Sequence, residues 1–337
     1  MQIAHNGRNS HSSLSPDGSV PVAPSAIPGN IPALTRDFQQ VKAEIPRALE
    51  PAEIPGIVDD FRQAAVNAIQ AGFDGVELQG ANSHLIEQFL EDGTNIRSDN
   101  YGGPQENRAR FLFDIVEQVS AAIGSDRLGV RLSPFGQYGG IRDSKPKELF
   151  TFVIEELNKR HLAWLHLIEA RGSEIGLTDD LHADAINNAA LFRPLFNGAL
   201  LSAAAYTPDT AALAIEQKHA DAVVFGRLFI ANPDLVERIR KSFPLNPSDR
   251  LQDLWSRSMS AVAQAPQSQV SKLASQLIGV WALVSYTDEQ PNREDTYPFG
   301  PQPQGFLIYT ADGFVSAQLM KPDRPAFQSP DWDHGTP

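Results

Sequence analysis

Gly72-Phe73-Asp74-Gly75-Val76-Glu77-Leu78-Gln79-Gly80-Ala81-Asn82-Ser83-His84-Leu85, running on to Asn107-Arg108-Ala109-Arg110-Phe111, is the stretch that decides how the rest of this chain is read. Phe73–Leu78 is a short apolar run bounded by glycines, the pattern of a buried strand. Gln79, Asn82 and His84 follow at once, so polar side chains gather where that strand ends. A parallel α/β barrel keeps its chemistry at the C-terminal ends of its strands. On these residues alone, a strand followed by a hydrogen-bonded polar loop explains the pattern equally well.

Outward from this stretch the chain alternates. Over 53–71, Ile54, Ile57, Val58, Phe61, Ala65, Ala68 and Ile69 fall at helical spacing, with Pro55 near the start and Gly72 at the end. Glu106–Ile123 is a second amphipathic helix and Arg127–Leu132 the next strand. Lys147–Arg160 and Ala163–Ile168 repeat the unit. A helical pattern over 180–196 precedes a strand at Ala199–Ala203. Pro208–His219 is then a helix, Ala222–Phe225 the last strand and Pro233–Ser242 the last helix. Strand and helix alternating at roughly 30-residue intervals is what a parallel barrel or a doubly wound sheet requires, and periodicity does not choose between them. Residues 10–50, rich in Pro, Ser, Gly and Ala without a period, are expected to form a long loop.

Composition narrows the function. A chain of 337 residues holds one barrel and something small. Its net charge of −13 argues against nucleic acid and against an anionic membrane surface as partners. The absence of cysteine removes disulfides, thiolate metal ligands and a cysteine nucleophile. No apolar run approaches the roughly 20 residues of a membrane span. MQIAHNGRNSHSS has no signal-peptide core, so the expected location is cytoplasmic. His5, His11, His161, His166, His182, His219 and His334 show no H-x-x-x-H spacing, and no metal site is expected.

AGFDGVELQGAN, FLEDGTNIRSDNYGGPQENRARF and GVRLSPFG, in this order and spacing, resemble the central signature of the Old Yellow Enzyme family of flavin-dependent ene-reductases. The resemblance runs from about Gln2 to Arg250. It implies a TIM-type (β/α)8 barrel holding FMN, with NADPH or NADH as reductant. The implied reaction reduces the activated C=C bond of an enone-like small molecule, in a setting such as secondary metabolism. Gln2-Ile3-Ala4-His5-Asn6-Gly7-Arg8 matches the family's Q-x-x-H-x-G-R segment, its third barrel strand and exit, whose glutamine bonds the flavin ring. The two strands that precede this segment in the family are not in this sequence. The expected fold is therefore a barrel lacking its first two strands, with two unpaired edges that another chain could complete.

The same resemblance assigns roles. Gln79 stands where the family usually has a histidine. With Asn82 it is expected to bond the substrate's carbonyl or nitro oxygen and stabilise enolate-like charge, as an oxyanion hole does. A glutamine donates a hydrogen bond but cannot become cationic. His84 occupies the position of the family's proton-donating tyrosine and is the candidate general acid; a surface histidine with a solvent-derived proton explains it as well. Arg131, a charge inside a strand, needs an anionic partner, and the resemblance supplies the pyrimidine end of FMN. Gly226 and Arg227, after Val223–Phe225, resemble the phosphate-binding end of the last barrel strand. The expected cofactor set is Gln2, Arg131, Ala204, Phe225, Gly226 and Arg227. Ser202-Ala203-Ala204-Ala205-Tyr206 stands where the family is glycine-rich, and each added Cβ is expected to obstruct backbone approach to phosphate. Ser248–Leu254 replaces a tail whose aromatic residues cover the flavin.

From about 250 the character changes. Residues 251–274 are expected to be a helical linker. Leu277–Tyr286, Gly305–Thr310 and Phe314–Leu319 read as strands, the last two joined by an Asp312-Gly313 hairpin signal. This segment, 275–337, resembles the start of a lipocalin-like domain, a partial all-β segment of about three strands. Two readings stand. One is an FMN-dependent ene-reductase, with 1–250 as its partial barrel. The other is a catalytically impaired remnant, or a subunit of a split ene-reductase, with a C-terminal segment that binds a hydrophobic ligand.

Overall fold

Among the described residues up to 247, the apolar runs of the alternation become parallel strands and the amphipathic stretches helices that cover them. The computed structural model describes residues 1–37, 39–170 and 186–247, and the strands at 279–282, 304–309 and 315–320. The chain opens with β1 (Gln2–Ile3), β2 (Val22–Ala23), β3 (Ala33–Leu34), β4 (Gln40–Val41) and β5 (Arg47–Ala48). There follow α1 (Ile54–Gln70), β6 (Val76–Gly80), α2 (Leu85–Leu90), α3 (Gln105–Arg108), α4 (Arg110–Ile123) and β7 (Leu128–Leu132). Next come α5 (Pro146–Asn158), β8 (Trp164–Ile168), α6 (Asn188–Phe192), β9 (Ala199–Ala203) and α7 (Pro208–Glu216). β10 (Ala222–Val224), α8 (Arg227–Ala231) and α9 (Leu235–Arg240) complete this part.

β1, β6, β7, β8, β9 and β10 form one six-stranded sheet in that order, parallel throughout. Spatial order equals chain order. A doubly wound sheet reverses direction at a switch point, whereas a β/α barrel adds each strand beside the last. The winding is therefore that of a barrel. Among the described residues β1 and β10 each have one neighbour.

Parallel register sorts the side chains. Ile3, Leu78, Val130, Leu165 and Leu200 lie in one lateral row, all buried beneath the helices. α1 carries Pro55 in its first turn, where the missing N–H is not needed, and buries Ile54, Val58, Phe61, Ala65 and Ala68. Its C-terminus turns at Gly72, whose φ of 93° suits glycine. Phe111 of α4 meets the Phe61 ring edge-on at 6.5 Å and Phe89 at 4.3 Å.

Several boundaries differ from the sequence expectation. The central strand begins at Val76 rather than Phe73 and ends at Gly80 rather than Leu78. Asp74 and Gly75 form its approach, since a Cβ on Gly75 would sit 2.7 Å from the Arg127 carbonyl. Gln79 is thus a strand residue and not part of the loop. α2 and α8, of six and five residues, are unanticipated helices. α7 ends at Glu216 because Lys218 takes a left-handed φ of 58°. Phe225 lies just beyond β10. Within the expected loop 10–50, β2 pairs with β5 and β3 with β4 in small ladders. Residues 180–185 of the expected 180–196 helix, His182 among them, lie outside the described residues, as do the 251–274 linker and the Ser248–Leu254 tail.

β11 (Gly279–Ala282), β12 (Gln304–Tyr309) and β13 (Val315–Met320) form an antiparallel sheet in that order, within the runs expected to be strands. The chain divides into two compact units, Met1–Arg257 and Ser258–Pro337.

Candidate active site

On the opposite sheet face the register makes two polar rows. Gln79, Arg131 and His166 are lateral neighbours in one; Gln2, Glu77, Gly129 and Trp164 in the other. Residues two apart on a strand share a face, so both rows look the same way. Glu77 is the hub. Gln2 Nε2 donates to its Oε1 at 2.7 Å, and Trp164 Nε1 and His166 Nδ1 reach its Oε2 at 2.8 and 3.0 Å. Burial alone would raise its pKa, but His166, Trp164 and Gln2 outweigh burial and bring the carboxyl down to about 2. Gly129 makes the hub possible, because a Cβ there would lie 2.0 Å from the Trp164 indole.

Burial lowers the pKa of Arg131, and the nearby Glu77 charge opposes that shift. Gln79 Oε1, Arg131 Nε and His166 Nε2 are all buried without a hydrogen-bond partner in the protein. Orphaned buried polar atoms are rare in folded chains. Three on neighbouring strands suit a planar ligand carrying both donors and acceptors.

The loop after β6 holds Asn82 and Ser83 at φ 55° and 60°, left-handed values uncommon for residues other than glycine. The Asn82 amide donates to Ser133 Oγ at 3.0 Å. Ser133 Oγ donates to Glu87 Oε1, and the Ser83 amide to Glu87 Oε2. His84 is the N-cap of α2, with ring Nδ1 3.0 Å from the Ala81 carbonyl. A carbonyl only accepts, so this nitrogen carries the proton. Burial lowers the His84 pKa; the backbone of Ala81 and Asn82 raises it, and the Arg131 charge lowers it again. His84 is therefore a neutral imidazole near pH 7, with its proton already given to Ala81. This differs from the expected imidazolium and confines donation from Nε2 to pH below the lowered pKa.

At the other end of the sheet, Ala203 pairs with Val224, so the residues after them, Ala204 and Phe225, leave the sheet side by side. Ala204 and Ala205 have φ of 87° and 51°. The alanines adopt left-handed backbone in spite of their Cβ atoms, at roughly 1–2 kcal/mol each. Ser202 and Tyr206, which flank them, both donate to the buried Glu169. Gly226 is exposed and a Cβ there would meet nothing within 4 Å, and half-buried Arg227 opens α8.

The structure thus gathers Gln2, Gln79, Asn82, His84 and Arg131 around β1, β6 and β7. It places Ala204, Phe225, Gly226 and Arg227 together after β9 and β10. Glu77, Trp164, His166, Ser133 and Glu87 are additions that the residue-by-residue reading passed over. Period-two alternation in V-E-L-Q and W-L-H-L, aligned by parallel pairing, would have found the first three.

Residues 1–246 match the model of the NADH:flavin oxidoreductase / NADH oxidase family. The chain belongs to this family. Residues 278–337 match a lipocalin-like domain. 12-Oxophytodienoate reductase 7 of Oryza sativa subsp. japonica is 41% identical over 256 residues, covering 73% of this chain and 65% of that protein. Among solved structures, morphinone reductase aligns with a TM-score of 0.67 at 41% identity, over 73% of this chain and 66% of its own. An Old Yellow Enzyme homologue from Zymomonas mobilis aligns with a TM-score of 0.67 at 39% identity, over 73% and 67%. Morphinone reductase in complex with tetrahydroNAD gives 42% identity and a TM-score of 0.66. The chain spans 64%, 62% and 63% of the length of putative 12-oxophytodienoate reductases 5, 6 and 3 of Oryza sativa subsp. japonica, just under two thirds. The family uses FMN, and the orphaned inner-face atoms fit such a ligand. Among the described residues, no helix is long and apolar enough to cross a membrane, and no group of acidic residues and histidines is placed to hold a metal ion.

Proposed function

We propose that this chain is an FMN-dependent, NAD(P)H-consuming reductase of an activated C=C bond in an enone-like small molecule. The observation that carries this reading is the row of buried, unpartnered polar atoms on Gln79, Arg131 and His166. Gln2 and Arg131 would hold the flavin ring. Gln2 commits its amide N–H to Glu77, which leaves its carbonyl oxygen as an acceptor for the ring. Ala204, Phe225, Gly226 and Arg227 would hold the phosphate end. FMN, when bound, supplies hydride exchange between nicotinamide and substrate.

The chain's own residues handle the charge. Gln79 and Asn82 carry side-chain N–H donors for a carbonyl oxygen on which negative charge grows. Both are neutral, so they polarise it less than a cation would. His84 gives a proton from Nε2 only when imidazolium, and its lowered pKa confines that to acidic pH; above it, solvent supplies the proton.

Absorbance of the purified protein tests the cofactor first. Arg227→Ala should weaken FMN at least tenfold, far more than it weakens folding, because it removes one cationic ligand of a dianion. Equal loss of both would make Arg227 structural. His84→Phe, followed by stopped-flow, should slow enone reduction only at acidic pH and leave FMN reduction by NADPH unchanged.

A second component of the proposal concerns the open edges. Among the described residues β1 and β10 have one neighbour each, and the helices beside β10 expose Leu213, Phe229, Ile230 and Val236. We propose that strands from residues outside this sequence, on this or another polypeptide, close the barrel. Protein that stays colourless with FMN, and turns yellow when two further strand–helix units are added, would support this. Failure in both states would leave the catalytically impaired reading.

A further inference from the structure

Two consecutive non-glycine residues with left-handed backbone need a restraint, and here they carry Asn82 of the proposed substrate site. Asn82 and Ser83 have φ of 55° and 60°, a conformation that costs each of them on the order of 1 kcal/mol. Both amides end on one side chain. Ser83 N–H donates directly to Glu87 Oε2, while Asn82 N–H donates to Ser133 Oγ, which donates in turn to Glu87 Oε1. Gln88 secures the exit of the same turn, donating from Nε2 to the Ser83 carbonyl at 2.6 Å.

Glu87 is wholly buried. The charged groups around it are Arg8, from the segment after β1, and Glu91, one turn along α2. Behind Glu91 stand Asp92, Asp143 and Arg108. Arg8 turns a guanidinium N–H to the Gly139 carbonyl at 2.7 Å and acts on Glu87 through its field.

The bond directions demand an acceptor at both carboxyl oxygens. A proton on Oε2 would face the Ser83 N–H, donor against donor. A proton on Oε1 would reverse the Ser133 bond: Oγ would still accept from Asn82, but the Ser133 hydroxyl hydrogen would lose the acceptor it has here. Both oxygens accept only in the carboxylate. Burial pushes Glu87 up to about 7, so this exchange falls within the ordinary working range of pH.

We infer that Glu87 is a positioning residue for the substrate loop, holding Asn82 and Ser83 in left-handed backbone directly and through Ser133, and most tightly as the carboxylate. This rests on the reading of Asn82 as a substrate-binding residue. Glu87 touches no reacting atom. Its effect belongs to the placement of Asn82, and hence to substrate affinity more than to flavin reduction.

The test pairs Glu87→Gln, which keeps shape but puts a donor where two acceptors are needed, with Ser133→Ala, which breaks the relay with little change in volume. Amide exchange of Asn82 and Ser83, corrected for intrinsic pH dependence, is followed by NMR from pH 5.5 to 8.5. In the unaltered protein, protection of both amides should rise as pH passes through about 7. It should be lower and independent of pH in Glu87→Gln, and low at Asn82 alone in Ser133→Ala, with helix α1 unchanged in both. With FMN bound and an enone as substrate, KM should rise about tenfold in each variant, the loss of a hydrogen bond to a charged group. The double variant should be no worse than Glu87→Gln, and FMN reduction by NADPH should be unaffected. Unchanged protection in both variants, an unchanged KM, or equal loss in the two half-reactions would overturn the inference. A colourless protein that still shows pH-dependent protection, lost in both variants, would sink the proposed activity and support the role of Glu87 in the loop.

Discussion

The two halves of the sheet are built differently on both faces. From β1 to β8 the inner face carries Gln2, Glu77, Gln79, Arg131, Trp164 and His166, and the covering helices bury their apolar stripes, with Phe111 and Phe150 wholly inaccessible. Across β9 and β10 the same rows continue as Ala199, Leu201 and Ala222. There α7 to α9 and the turn after them leave Leu213, Ile215, Phe229, Ile230, Val236, Ile239 and Phe243 exposed. A helix between two neighbours covers its stripe; a helix beside an unpaired strand has one neighbour. The first half brings its own core and the polar groups proposed for ring and substrate. The second half contributes strained backbone and one arginine, on a foundation that is half uncovered.

If that contrast is sound, the largest effect comes from the first half. Phe111→Ala removes a side chain packed on Phe61 and Phe89 and should cost about 3–5 kcal/mol in urea unfolding. A loss under about 1 kcal/mol would mean that this core does not hold the unit together.

Glu77→Gln is next, and it carries a pH signature. The folded carboxyl titrates at about 2 against 4.5 for the unaltered group. A depressed pKa contributes stability above the unfolded value and loses it as pH falls through the folded one. The substitution should therefore cost about 3 kcal/mol at pH 7, and the gap should close as pH drops from 4.5 toward 2. A gap independent of pH would place the stabilisation in packing rather than in charge.

The smallest effect belongs to the strained loop. Ala204→Gly relieves a φ of 87° and should stabilise by about 0.5–1 kcal/mol after the entropy that glycine adds to the unfolded chain. A fall in melting temperature would show that the loop is not strained. FMN affinity in this variant should hold or improve.

Much of this was legible in the sequence, for reasons that also explain the rest. Strand order followed from alternation plus motif order, and Ala199–Ala203 falls on the expected residues because a glycine precedes it and a small-residue loop follows. The central strand was displaced because Phe73 looked like a strand residue, whereas Gly75 is constrained by the Arg127 carbonyl across the turn. α2 and α8 were missed because five or six residues without a side-chain cap carry no periodic signal. Glu87 and Glu91 were invisible as site residues, since a charged side chain one turn from another usually marks a solvated face. Only tertiary structure reveals that both are buried beside Arg8. Gln79 and Asn82 were candidates because polar groups gather where an apolar strand ends and by family resemblance, and Arg131 because it is a charge inside a strand.

One close contact gives this unit an optical handle. The chain's tryptophans are Trp164, Trp255, Trp281 and Trp332, so the first 250 residues contain a single indole. That indole lies over Gly129 with its N–H fixed on Glu77, within the polar rows of the inner face. Its emission is therefore a one-residue readout of whatever settles there. An isoalloxazine ring absorbs where indole emits, so cofactor arrival on the inner face would register as quenching from a known position, separable from the other three indoles by replacing them.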